Sequence, residues 1–185
     1  MLNPAVKPAT YQDIIDLPEH IVGEIINGHL ETHPRPAPKH AVAASSITAE
    51  LVSPFQKGRN GPGGWWIIAE PECHLDHNIL VPDLAGWRRQ RMPTLPTTAW
   101  FDVVPDWVCE ILSPSTARLD RTVKMPVYAQ LGVAYLWLID PILQTLEAYE
   151  LLDRRWLLNA SYADDQTIAA APFEQHTFSL SDLWE

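Results

Sequence analysis

Two apolar stretches of this 185-residue chain each carry one acid where a hydrophobic side chain is expected. Asp83 interrupts Ile79-Leu80-Val81-Pro82-Asp83-Leu84-Ala85, and Glu110 interrupts Trp107-Val108-Cys109-Glu110-Ile111-Leu112. Both stretches read as strands, over 79–87 and 106–112. An ionised carboxylate inside a buried strand is costly unless it is paired or holds a cation. Two of them in one small protein imply a shared site, formed where neighbouring strands joined by residues 88–105 bring the acids together. The alternative is that each acid stands at a strand end or on a solvated face.

The rest of the chain supplies elements to surround such a site. Thr10 with Asp13 reads as a helix start, opening a short helix through Leu17. Glu24-Ile25-Ile26, Asn27-Gly28 and His29-Leu30-Glu31-Thr32 spell a hairpin, because Asn-Gly suits the two left-handed positions of a tight turn. Pro34, Pro36 and Pro38 predict a stiff extended loop. Ala43, Ile47, Leu51 and Phe55 recur every four residues, which predicts a helix over 40–55 with one apolar face. Strands are expected at 65–69 and 72–76, and residues 88–105 read as loop. A helix is expected within 120–131, closed by Gly132. Strands follow at 133–140, 145–151 and 155–159, and the tail at 173–184 alternates towards a last helical turn. This order predicts an α/β or α+β chain, a single domain over 1–185 with a mixed sheet flanked by helices. No glycine-rich loop follows a strand, so a phosphate-loop or dinucleotide fold has no support.

Composition narrows the function. The net charge of −10 opposes a general nucleic-acid coat protein, but less so a nuclease that gathers carboxylates around a cation. No apolar run is long enough to span a membrane, and the first ten residues lack a targeting signal, so a cytoplasmic protein is expected. In that compartment Cys73 and Cys109 are expected as buried thiols. The eight tryptophans are expected mainly in the core or at an interface.

Lys124 is the basic counterpart to the acids. On a helix it shares a face with Tyr128 and Leu131, which turns it inward; a lysine merely laying its stem along the core is the ordinary alternative. Pro126 stands two residues on, and the helix is expected to start near Lys124 or Met125 to tolerate it. Arg88, Arg89, Arg91, Arg118 and Arg121 are candidates for phosphate contacts, or simply solvated surface residues. Cys73, His74, Asp76 and His77 have metal-ligand side chains. As a zinc site they are weak, since strand alternation sends Cys73 and His74 to opposite faces and no second pair completes a tetrahedron.

Pro82-Asp83, the run from Glu110 through Ser113-Pro114-Ser115-Thr116 and Asp120-Arg121 to Lys124, then Tyr128, Gly132 and Tyr135-Leu136-Trp137-Leu138-Ile139-Asp140-Pro141, closely resemble the Uma family of putative restriction endonucleases. That family falls in the PD-(D/E)XK nuclease superfamily. Residues 24–30 resemble the family's opening hairpin, and Pro38 with His40 its entry to the first long helix. The resemblance extends over roughly residues 11–183. It implies a restriction-endonuclease-like fold, a central mixed sheet flanked by helices. It implies that Asp83 and Glu110 are the motif acids holding Mg²⁺ or Mn²⁺, with the carbonyl of Ile111 and an acid at Glu24. It implies that Lys124 is the motif lysine moved to the following helix, since Leu112 fills the usual place. His40, Arg88, Arg118 and Arg121 become auxiliary or nucleic-acid-contacting residues, and a homodimer is implied.

The function so implied is metal-dependent hydrolysis of DNA phosphodiester bonds. Two carboxylates hold the metal and the lysine assists the attacking water. The rival reading is a catalytically inactive member of the fold that binds nucleic acid or protein.

Overall fold

The structure is a computed structural model and describes residues 7–34 and 36–184. Residues 1–6, read above for a targeting signal, and residue 35, inside the proline-rich loop, lie outside it. Among the described residues no helix is long and apolar enough to cross a membrane.

Helix α1 (Tyr11–Ile15) is closed at its start by Thr10 and Asp13, each side chain bonding the other's backbone. Strands β1 (Ile21–Ile26) and β2 (His29–Pro34) form the expected hairpin, with positive φ at Asn27 (53°) and Gly28 (79°). Helix α2 (Pro38–Leu51) starts two residues before the expected boundary, because Pro38 is well suited to the first helical turn. It continues as a wider π-helical turn over Val52–Gln56, which contains Pro54.

β3 (Trp65–Ala69) and β4 (Cys73–Leu75) fall where the sequence places them. The strand expected over 79–87 does not form as one piece. It divides into β5 (Asn78–Leu80) and β6 (Leu84–Arg88), which belong to different sheets. Pro82 has no N–H to offer a ladder, and the Val81 N–H bonds the Glu24 carboxylate instead. Asp83 therefore stands at the joint between two sheets and not within a strand. Residues 89–106 form no long element, as expected.

After β7 (Trp107–Ile111), the second helical region begins at α3 (Ala117–Leu119), passes through a π-helical turn (Asp120–Lys124) and ends as α4 (Met125–Leu131). The expected start near Lys124 is thus corrected. The Met125 N–H reaches the Asp120 carbonyl, one residue beyond the α-helical partner. That wider turn relieves the clash a proline ring makes with the carbonyl four residues back, so Pro126 is carried inside a continuous helix. Gly132 closes it in the left-handed region at φ 83°. β8 (Tyr135–Asp140), β9 (Thr145–Leu152) and β10 (Arg155–Ala163) follow, the last four residues longer than expected at its C-terminal end. A short ribbon of β11 (Thr167–Ile168) and β12 (Phe178–Ser179) leads to a 3-10 turn at Leu180–Leu183.

The larger sheet has the order β10-β9-β8-β7-β6-β3 and is mixed, with β7 and β8 parallel and the other pairs antiparallel. A second sheet, β2-β1-β5-β4, is antiparallel. The architecture is mixed α+β, with few helices flanking a large mixed sheet. Alternation along β7 sends Trp107, Cys109 and Ile111 to one face, against α2, Phe173 and the C-terminal turn. It sends Val108 and Leu112 to the other, against α4 and the apolar side of the smaller sheet. Glu110 shares the parity of Val108 and Leu112, so it points where helix and both sheets meet. Both cysteines are buried and unbridged.

Candidate active site

Glu110, Glu24 and Lys124 come from β7, β1 and the π-helical turn, and they meet in the interior. Lys124 Nζ lies 2.8 Å from Glu110 Oε1 and 3.0 Å from Glu24 Oε1. Side-chain exposures of 3% for Lys124, 3% for Glu110 and 1% for Glu24 leave little water to screen them. The Tyr128 hydroxyl donates to the same Glu110 Oε1 at 2.5 Å. Its place one turn after Lys124, on the face named from the sequence, makes this possible. Glu24 Oε1 also accepts the Val81 N–H at 2.7 Å, and Oε2 lies 3.5 Å from His33 Nε2. The Lys124 and Tyr128 contacts thus both fall on Oε1 of Glu110.

Asp83 joins from the other side. The β6–β7 register pairs Leu84 with Cys109, so one step further Asp83 falls opposite Glu110. Its Oδ2 accepts the Ile111 N–H at 2.6 Å and its Oδ1 faces His40 Nε2 at 3.1 Å. At 20% exposure it is the accessible acid of the pair. His40 occupies the first turn of α2. Burial disfavours its charge, but the bond to Asp83 and nearby acids raise it above the usual histidine range.

Glu24, His40, Asp83, Glu110 and Lys124 border one cavity of about 300 Å³, with Ile111, the Ser113–Thr116 segment and Asp120 also in its wall. Asp120 was read only as part of a motif, with no role of its own. Its signal was available: four residues before Lys124, it must share that lysine's face. Burial, opposed by Lys124 and by a hydrogen bond from Thr116, pushes its carboxyl up to about 6.

Burial is also the largest influence on the other charges. It works against the Lys124 ammonium, but Glu110, Glu24 and Asp120 outweigh it and hold the lysine protonated, above its ordinary range. It works against ionised Glu24, but Lys124, His33 and the Val81 N–H hold that carboxyl below its ordinary range. Glu110 is pushed well above its own by burial, against the pull of Lys124 and with Asp120, Asp83 and Glu24 adding to the rise. Glu24 thus has Lys124, His33 and the Val81 N–H around its carboxylate, whereas Glu110 faces the strain of the neighbouring acids.

A divalent cation beside Glu110 would offset that strain. The donors beside Glu110 and Asp83 are carboxylate and carbonyl oxygens, which suit Mg²⁺ or Mn²⁺. Among the described residues no three His, Cys, Asp or Glu side chains are grouped to hold an ion by themselves. The set that fits is two carboxylates, Asp83 and Glu110, with a backbone carbonyl and water, which Mg²⁺ tolerates because it keeps several waters.

The three arginines put forward as site residues do not line the cavity. Arg88 ends β6 at the opposite end from Asp83, with its guanidinium 4.6 Å above the Trp65 ring. Arg121 pairs with Glu147 at 2.8 Å, and Arg118 is exposed. Of the weak metal-type cluster, Cys73 is buried while His74 bonds Glu72 at 2.6 Å and stacks on Trp100.

The Asp120 shift carries a stability prediction. A carboxyl raised from 3.8 to about 6 contributes stability that is fully present below 3.8 and is lost as pH rises through about 6. Asp120→Asn removes the ionisation. In metal-free buffer it should stabilise the protein at pH 8, by up to about 3 kcal/mol, and the gain should vanish at pH 3.5. Urea denaturation at both values measures this, and equal effects at both would sink the assignment.

With this geometry in view, likeness to known proteins is informative. No curated protein matches the chain significantly. A crystal structure described as a putative nuclease from Anabaena variabilis ATCC 29413 superposes with a TM-score of 0.74 at 25% identity, covering 96% of this chain and 98% of that one. The sequence profile of the Uma2 family, described as "Putative restriction endonuclease", matches residues 9–181. The chain therefore belongs to the Uma2 family of putative restriction endonucleases.

Proposed function

We propose that this protein is a Mg²⁺- or Mn²⁺-dependent endonuclease that hydrolyses phosphodiester bonds of DNA and works as a homodimer. The observation that carries the reading is the convergence of Asp83, Glu110 and a protonated, buried Lys124 on one cavity. Asp83, Glu110 and the Ile111 carbonyl would hold the metal. When bound, the metal would polarise the phosphate and acidify a water.

The chain's own residues prepare that chemistry. The Ile111 N–H and His40 fix both Asp83 oxygens. Tyr128 and Lys124 both engage Oε1 of Glu110 and so fix the direction of its carboxylate. Glu24, whose Oε1 is occupied by Lys124 and Val81, anchors the ammonium at the cavity wall. From there Lys124 orients the attacking water and offsets charge that grows on the phosphate.

The test is cleavage of DNA by the purified protein with Mg²⁺ or Mn²⁺, and with EDTA. Metal-dependent cleavage that disappears with chelator is expected. Cleavage that persists in EDTA, or salt-sensitive DNA binding with no cleavage under any metal, would overturn the reading in favour of another mechanism or of a binding module.

A further inference from the structure

We infer that the cavity takes an unpaired nucleotide, so that the substrate is single-stranded or locally opened DNA and not intact duplex; this rests on the nuclease reading above. Three observations point this way. The first is size. A volume of about 300 Å³ corresponds to a cube roughly 7 Å on an edge, whereas the major groove of B-DNA alone is about 12 Å wide. One nucleotide fits; a double helix does not.

The second is depth. Glu110 is 3% exposed, so a phosphate has to enter the cavity to approach it. Drawing a whole nucleotide out of a paired duplex into a recess costs unpairing and unstacking, a cost that an unpaired strand avoids. The third is the character of the wall. Val22, Ala37, Pro114 and Leu119 line the cavity together with the carboxylates and Lys124, so its wall offers apolar surface to a base as well as charged groups to a phosphate. Stacking on apolar or aromatic surface serves every base, and so suits recognition of single strands.

Charge agrees with this. Among the described residues that line the cavity, Lys124 is the one lysine or arginine, and two carboxylates already engage it. Arg121 is held by Glu147 and Arg88 stands at the far end of β6. A long duplex footprint depends on many phosphate contacts, and a chain of net charge −10 is a poor platform for one. A single nucleotide needs far fewer.

The experiment uses one labelled oligodeoxynucleotide in three forms: single strand, perfect duplex, and duplex with a central mismatched bubble. Cleavage is followed with Mn²⁺, and binding by fluorescence anisotropy in EDTA. The single strand and the bubble should be cut, and bound, about tenfold or more in preference to the duplex. Cuts in the bubble form should fall within the bubble. Leu119→Trp, which fills the cavity from its wall, should reduce single-strand cleavage without changing Mn²⁺ affinity by calorimetry. Duplex cut and bound as well as single strand would overturn this inference and leave the nuclease reading standing. Absence of cleavage on all three forms would overturn both. If Leu119→Trp fails to fold, the position of cuts in the bubble still decides.

Discussion

Lys124→Met is expected to destabilise the protein by about 3–5 kcal/mol, because removing one partner from a buried ion pair leaves the other charge uncompensated. Here two partners are left, Glu24 and Glu110, both almost fully buried. The variant's response to pH separates this cause from simple loss of packing. In the parent, Glu24 titrates below its ordinary range. Its stabilisation is therefore present above the ordinary carboxylate range and is lost as pH falls through the depressed folded value. Without the ammonium, burial dominates both carboxyls and raises them, so their contribution changes sign and worsens as pH rises. The deficit of Lys124→Met should thus be full at pH 8 and distinctly smaller at pH 4.5 in urea denaturation. A deficit independent of pH would mean that the lysine acts through its aliphatic stem alone. At a temperature where the variant is folded, cleavage should fall by about 10²–10³-fold, the usual loss on removing one preorganised donor.

Asp83→Asn should separate function from folding more cleanly. The amide has nearly the shape of the carboxylate and its oxygen can still accept the Ile111 N–H. The position is 20% exposed, so little burial energy is at stake. The stability change should stay within about 1 kcal/mol, that of one ordinary hydrogen bond. What disappears is the charge that would hold the cation. Mn²⁺ affinity by calorimetry should drop sharply and cleavage should fall by at least about 10²-fold. Unchanged cleavage would remove Asp83 from the mechanism. Unchanged Mn²⁺ affinity with lost cleavage would instead make it a positioning residue.

The elements most legible in the sequence were those specified by neighbouring residues. Asn27-Gly28 spelled its own turn, and Thr10 with Asp13 its own helix start. Ala43, Ile47 and Leu51 marked the buried face of α2 through their spacing. Glu110 was conspicuous because a carboxylate in so apolar a strand needs a partner. The reading of Asp83 was sound about its pairing with Glu110 and mistaken about its strand. Residues 79–87 look continuous by hydrophobicity, and the break at Pro82 is intelligible only once Val81 is seen to bond Glu24, 57 positions away. The helix around Pro126 was misjudged for a similar reason. The rule that proline ends a helix assumes α-helical spacing, and the π-helical turn suspends it.

The sequence by itself determined that Glu110 carries a charge into an apolar strand and that Lys124 lies on an inward helix face, because propensity, periodicity and the cost of a buried carboxylate act over a few residues. Only the tertiary structure decided how those charges divide their work. Lys124 settles on Glu24 as well as Glu110, Tyr128 donates to Glu110 and the Ile111 N–H to Asp83, and Arg88 and Arg121 are left outside the cavity. Those outcomes depend on distances between segments far apart in the chain. A buried charge takes the partner that packing brings within about 3 Å, and spacing along the sequence does not encode that choice.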